Sequence, residues 1–221
     1  MNTLSTEPVA GILKRLFADA EQTQGTIRQL LSDLTPAERA ARMSNPDTDY
    51  REFYHRVREV HMPVSPETGT LLYMLARATQ ARAIIEFGTS FGISTIHLAA
   101  ALRDNGGGHL IGSDFEPTKI AKARANLEAA GLSDLVEIRD GDALQTLASN
   151  LPNSIDLVLL DGHKPLYSPV LDLLEGRIRS GAFIIADNAD ANPSYVARVR
   201  AVNGGFMSVP FGPDVEVSIK L

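Results

Sequence analysis

Two short apolar runs late in the chain each end on a carboxylate: Ile155-Asp-Leu-Val-Leu-Leu-Asp161-Gly-His-Lys164 and Ala182-Phe-Ile-Ile-Ala-Asp187-Asn188. Runs of this kind form parallel strands buried on both faces, and in an open α/β sheet the carboxyl ends of the strands line the ligand crevice. The pattern brings Asp161, Asp187 and Asn188 to one place. Two carboxylates and an amide oxygen are hard ligands, suited to Mg²⁺, Ca²⁺ or Mn²⁺ rather than zinc. Lys164 follows Asp161 closely and supplies a base beside that metal. The chemistry expected is metal-assisted catalysis.

A glycine turn supplies the second constellation, Ile84-Ile-Glu86-Phe-Gly88-Thr-Ser90-Phe-Gly92. A dinucleotide site wants G-x-G-x-x-G, with its helix N-terminus facing a pyrophosphate. The spacing here is G-x-x-x-G, and Glu86 sets a carboxylate where the diphosphate would lie. Gly88-Thr-Ser90-Phe-Gly92 also matches the G-x-S-x-G elbow of α/β-hydrolases, which would make Ser90 a nucleophile. That fold places strands before the elbow, an HGGG-like segment ahead of the serine, and a histidine after the triad acid. None is present: the last histidine, His163, precedes Asp187. S-adenosylmethionine carries no phosphate but has a sulfonium and an ammonium, so it suits acidic strand ends. Asp114 ends the second strand, where a carboxylate can accept both ribose hydroxyls. Gly141-Asp142-Ala143 follows the third strand, where the adenine would lie. Glu86, Asp114, Asp142 and Asp161 at successive strand ends favour this third ligand.

The elements that must hold these residues are legible from periodicity. From Ala83 onward, strands expected at 83–87, 109–114, 135–139, 155–161 and 182–187 alternate with helices at about 92–103, 117–130, 142–149 and 167–179, the signature of a parallel sheet. Gly131 and Gly181 stand where glycines follow helix ends. After Pro193 a short helix leads to strands at Met207–Pro210 and Glu216–Lys220, spaced for a terminal hairpin. Upstream, Val9, Ile12, Leu13, Leu16 and Phe17 form an amphipathic helical stripe, and Ile27, Leu30, Leu31 and Leu34 repeat it. Thr35-Pro36-Ala37-Glu38 reads as a capping box. Ser65-Pro66 starts another helix through about Thr79. An apolar stripe such as Val9 to Phe17 must be covered, either by a second copy in a homodimer or by packing on the chain's own sheet.

Composition narrows the function classes. A chain of 221 residues, 44% hydrophobic and 22% charged, fits one soluble globular domain with a real core. Its net charge of -6 argues against nucleic-acid binding, which needs a basic face. Without cysteine there is no disulfide framework, zinc–thiolate site or thiol nucleophile. No apolar run approaches the roughly 20 residues of a membrane span, and the N-terminus lacks a signal-peptide pattern. Cytoplasm is the compartment expected.

With these residues in view, the chain resembles the class I S-adenosylmethionine-dependent methyltransferases, and more narrowly the cation-dependent O-methyltransferases of the catechol and caffeoyl-CoA type. The likeness covers about three quarters of the chain, from about His61 to the C-terminus. It rests on Met62-Pro-Val64-Ser-Pro-Glu-Thr-Gly69, on Glu86-Phe-Gly88-Thr-Ser90-Phe-Gly92-Ile-Ser94, on Asp114-Phe115-Glu-Pro117, on Asp161-Gly-His-Lys164-Pro-Leu-Tyr167 and on Asp187-Asn188. It implies a Rossmann-like α/β fold, its mostly parallel sheet ending in an antiparallel hairpin. Residues 1–60 would be a helical extension and 61–221 the methyltransferase domain.

The resemblance also implies roles. Met62 and Val64 close over the methionine part of the cofactor, with Glu86, Gly88, Ser90 and Ser94 around it. Asp114 and Phe115 meet the ribose, and Asp142 and Ala143 the adenine. Asp161, touching cofactor as well, joins Asp187 and Asn188 as a metal ligand. Lys164 is the base, and His163, Lys164 and Asn188 face a small phenolic acceptor. Three departures weigh on the acceptor: His163 where relatives often have tryptophan, Pro165 where an acid is common, and Met207 where catechol enzymes place a substrate-contacting acid. They make a simple catechol doubtful as the natural substrate and leave the metal chemistry intact. A cofactor-binding but non-catalytic member of the fold is the other outcome the sequence leaves open.

Overall fold

A computed structural model describes residues 2–32, 35 and 50–221. Seven strands form one mixed sheet: β1 (Ala83–Phe87), β2 (His109–Asp114), β3 (Val136–Asp140), β4 (Ile155–Leu160), β5 (Ile178–Ala186), β6 (Phe206–Phe211) and β7 (Val215–Lys220). Their order is β3-β2-β1-β4-β5-β7-β6, parallel from β3 through β5, with β7 antiparallel to both β5 and β6. The mostly parallel sheet closing in a terminal hairpin is the architecture the sequence predicts.

The helices are α1 (Val9–Ser32), α2 (Tyr50–Arg56), α3 (Pro66–Ala78), α4 (Ile93–Asp104), α5 (Pro117–Ala129), α6 (Ala143–Thr146), α7 (Tyr167–Leu174) and α8 (Pro193–Val199). Local chemistry sets several starts. Ser65 caps α3 by accepting from Thr68 N, with Pro66 at the first helical position, and Glu116 with Pro117 begins α5 in the same way. Successive strand side chains point to opposite faces, so Ile84 and Ile85 join different cores. One core packs α1, α3, α4 and α5 on Ile84, Leu110, Leu157 and Ile185. The other packs α7 and α8 on Ile85, Ile111, Val158 and Ile184.

The Val9–Phe17 stripe is covered within the chain. Val9, Leu13 and Leu16 are buried in the first core, and Ile12 and Phe17 pack against it. This stripe therefore gives no reason for a second copy. Leu34 and the capping box at Thr35-Pro36-Ala37-Glu38 reach outside the described residues.

Two details depart from expectation. The helix predicted over 167–179 ends at Leu174, because a 3-10 turn at Glu175–Arg177 hands the chain to β5 at Ile178. Gly181 therefore follows no helix. It lies inside β5 at φ +78°, where Ile155 pairs with Ile178 but Leu157 pairs with Phe183, so it carries a β-bulge. The helix expected over 142–149 is one turn, α6. Among the described residues, no helix is long and apolar enough to cross a membrane.

Candidate functional site

The chain leaves β1 toward β2 and β3, then returns to β4 on the other side of β1, so the crevice opens between the carboxyl ends of β1 and β4. Backbone bonds extend the ladder past the strand ends. Gly88 N donates to Ser113 O at 2.9 Å, Asp161 N to Phe87 O at 2.8 Å, and Asp187 N to Leu160 O at 3.0 Å. These bonds hold the turn glycine and both aspartates level with one another.

Gly88 is required there. At φ +99°, a Cβ would meet Asp161 C and O at 2.6 Å, so any side chain would push the β1 and β4 ends apart. Glu86, below it, is fully buried and accepts from Ser94 Oγ and Thr95 Oγ1, each at 2.6 Å. Burial pushes Glu86 up to about 7, although the hydroxyl donors pull the other way. A carboxyl raised in the fold binds more protons than in the unfolded chain, so its contribution to stability falls as pH climbs from about 4.5 past 7. Glu86→Gln should flatten the decline in melting temperature across that window. The difference between the two proteins isolates Glu86, since Asp161 and Asp187 slope the same way in both.

Asp114 accepts from Ser90 N at 2.7 Å and Glu116 N at 3.0 Å, one on each oxygen. Each carboxylate oxygen keeps further acceptor capacity for a ligand. Ser90 sits at φ +48°, and its Oγ accepts from Lys119 Nζ at 3.3 Å. Among the described residues no histidine hydrogen-bonds Ser90, so the elbow lacks a hydrolase's base.

At the end of β4, Lys164 Nζ donates to Asp161 Oδ1 at 3.2 Å and to Tyr167 Oη at 2.9 Å. Tyr167 donates in turn to Asp187 O at 2.6 Å. Burial, reinforced by the two aspartates, raises Tyr167 well above the usual phenol range, so it stays protonated and keeps that bond. Burial also raises both Asp161 and Asp187, and for Asp187 the charge of Asp161 adds to it. Two crowded, desolvated carboxyls of this kind are what a divalent cation relieves. Asn188 Nδ2 donates to Asp214 Oδ2 at 3.2 Å, which leaves the amide oxygen. Among the described residues no cluster of three or more carboxylates, histidines or cysteines forms a metal site. The donor set is two carboxylates and one amide oxygen, and it fits a hard cation completed by water and substrate.

These groups face a cavity of about 360 Å³, within the usual size range of small-molecule sites. Met62, Gly88, Ser90, Asp114, Phe115, Ala143, Asp161, His163, Lys164, Asp187 and Asn188 all line it. Val64 and Ser94 line a smaller recess that shares Met62, Gly88, Ser90 and Asp161. Glu86 and Asp142 line neither. Glu86 points beneath the turn into the helix packing, and Asp142 caps α6 through Leu144 N at 2.9 Å and pairs with Arg51 at 2.8 Å. His163 is buried, stacks on Tyr50 at 4.3 Å, and leaves Nε2 without a partner. Burial and then Lys164 push it down to about 4, so its ring is neutral.

A family model described as a methyltransferase domain matches residues 85–189. A catechol O-methyltransferase of Niastella koreensis is 38% identical over 136 residues, 59% of this chain and 61% of the relative. A protein named as an O-methyltransferase in Mycolicibacterium smegmatis is 34% identical over 149 residues, 62% of this chain and 69% of its own length. The chain belongs to the O-methyltransferases. The chain spans about three fifths of the length of the catechol O-methyltransferases it matches. In structure it resembles the O-methyltransferase TomG from Streptomyces achromogenes, solved in complex with S-adenosylmethionine. That likeness has a TM-score of 0.63 and 28% identity, covering 91% of this chain and 98% of TomG.

Sequence reasoning missed several residues of this cavity. Tyr50, Phe53 and Tyr54 of α2 form one wall, and Lys119, only 2% exposed, lines it beside Ser90. The dense aromatics of 50–54 were the available signal for the first group. Lys119 lies in the first turn of α5, on the helix side facing the glycine turn.

Proposed function

We propose that the protein transfers a methyl group from S-adenosylmethionine to a hydroxyl of a small phenolic acceptor bearing neighbouring hydroxyls, with the help of a divalent cation. The observation that carries this reading is the meeting of Asp161, Lys164, Asp187 and Asn188 in one cavity with Asp114 and the Gly88 turn. The catechol O-methyltransferases among its relatives and the cofactor in the TomG complex support it. When bound, the cofactor supplies an electrophilic methyl group and the cation, Mg²⁺ by preference, supplies charge that favours an ionised acceptor hydroxyl.

The chain's own residues do the rest. Asp114 offers acceptor oxygens to the ribose, while Met62, Val64, Gly88, Ser90 and Ser94 surround the methionine end. Ala143 and Phe115 flank the adenine side. Asp161, Asp187 and the Asn188 amide oxygen hold the cation. A phenol of pKa about 10 is mostly protonated at neutral pH, so the acceptor needs a base. Lys164 Nζ takes that proton, and its bonds to Asp161 and Tyr167 fix its position. His163, neutral and stacked on Tyr50, forms an aromatic wall for the acceptor ring. Alignment of oxygen and methyl carbon by these walls contributes several kcal/mol of the barrier reduction, on the order of what effective-molarity measurements give.

Titration calorimetry with S-adenosylhomocysteine should give one binding event per chain. Labelled cofactor should then pass its methyl to phenols with vicinal hydroxyls and hardly at all to isolated ones, and a chelator should stop it. No heat with the homocysteine ligand would remove the methyltransferase reading. Binding without transfer to any phenol of a broad panel would make the protein a non-catalytic member of the family.

A further inference from the structure

The β6–β7 hairpin turn reaches back to the end of β5 and grips the residue after Asp187. Ala189 N donates to Asp214 O at 2.6 Å, and Asn188 Nδ2 donates to Asp214 Oδ2 at 3.2 Å. Asn188 itself is left-handed, at φ 49° and ψ 42°, a conformation that asparagine tolerates better than most residues. One turn residue thus clamps both the backbone after Asn188 and its side chain.

We infer that Asp214 is a positioning residue that sets which way the Asn188 amide faces. An amide presents a donor prong and an acceptor prong of nearly the same shape, and a free asparagine can turn over. An ionised carboxylate only accepts. With Asp214 on one side, Nδ2 must face it, and the oxygen is the prong left for the cavity that Asn188 lines. Turned over, the amide would set its oxygen against the Asp214 carboxylate and its hydrogens toward the cation. Among the described residues no donor engages the side-chain oxygen of Asn188, so nothing else competes for it. The hairpin, remote in sequence and absent from the cavity wall, thereby decides whether the third ligand is an oxygen at all. Groups standing behind metal ligands in this way are typically worth about 10–100-fold in metal affinity.

This inference rests on reading Asn188 as a ligand, and the experiment separates the two. Mn²⁺ binding to the whole chain is followed by electron paramagnetic resonance for wild type, Asp214→Ala, Asp214→Asn, Asn188→Ala and the Asp214→Ala/Asn188→Ala pair. S-adenosylhomocysteine binding reports that each variant keeps its fold. Asp214→Ala should bind Mn²⁺ about 10–100-fold more weakly than wild type. Asp214→Asn keeps the shape but offers a donor as well as an acceptor, so it fixes neither orientation and should also bind Mn²⁺ more weakly than wild type, which covers the case in which the alanine variant misfolds. In the Asn188→Ala background, Asp214→Ala should cost nothing further, because the amide it orients is gone. If wild type binds no Mn²⁺, or Asn188→Ala binds it normally, the ligand reading fails. If those controls behave but Asp214→Ala equals wild type, Asp214→Asn equals wild type, or the loss persists without Asn188, the positioning role is overturned.

Discussion

Lys164→Ala should lower turnover by about 10²–10⁴, the usual worth of a positioned general base, while cofactor and metal affinities stay close to wild type. The lysine contributes a proton site and no ligand atom. Its removal leaves Tyr167 bonded to the Asp187 carbonyl and leaves both carboxylates in place. Added Mg²⁺ should not restore the rate, because occupancy is not what is missing. Raising the pH, or offering a more acidic catechol, should recover part of the loss, since the acceptor then arrives already ionised. Single-turnover rates measured across pH with two catechols of different acidity test this. Wild-type rates in the variant would make Lys164 a structural loop residue only.

Asp187→Ala should produce the opposite pattern. It removes one of three protein oxygens, so metal affinity should fall by more than the ~10–100-fold that changes behind the ligands produce. Turnover at low Mg²⁺ should nearly vanish and return in part as Mg²⁺ is raised. In the metal-free protein the same substitution should be stabilising near neutral pH. Burial and the neighbouring Asp161 charge hold the Asp187 carboxyl above its ordinary range, so its ionisation opposes folding as pH rises. Melting curves with and without Mg²⁺ at about pH 8 check both halves: the variant should melt higher than wild type without metal and gain less from adding it. Equal metal-dependent gains in the two proteins would remove Asp187 from the ligand set.

The candidate catalytic edge was readable because its carboxylates sit at the ends of apolar runs, where strand periodicity alone fixes their position. Asp161, Asp187 and Asn188 needed only the assumption of neighbouring parallel strands. Glu86 was legible as a strand-end acid, but its direction was not. Strand alternation sets it on the same face as Ile84, beneath α4, where Ser94 and Thr95 meet it. The α2 wall escaped because its rings contact the cavity by a long-range return of the chain, with no periodic link to the sheet. Lys119 looked like any solvated helix lysine, since only the tertiary approach of Ser90 reveals its burial. The Gly181 bulge was missed for a similar reason. A glycine after an apolar helical pattern signals a stop, and only pairing with β4 shows that β5 had already begun.

The α2 wall has a consequence for how selectivity can change. The reactive groups stand on strand ends locked by backbone ladders, whereas Tyr50, Phe53 and Tyr54 ride on a seven-residue helix. That helix meets the rest of the fold through ring contacts such as Tyr50 on His163, through the Arg51–Asp142 ion pair and through a hydrogen bond between His55 Nδ1 and Glu116 Oε2. An ion pair whose arginine is exposed, as Arg51 is, contributes little, ~0–1 kcal/mol. The protein is thus divided into a fixed reactor and an exchangeable faceplate. On the proposed function, substitutions at 50–54 would reshape what enters the chamber while Asp161, Lys164, Asp187 and Asn188 keep their places at the strand ends, so that the acceptor would change and the chemistry would not.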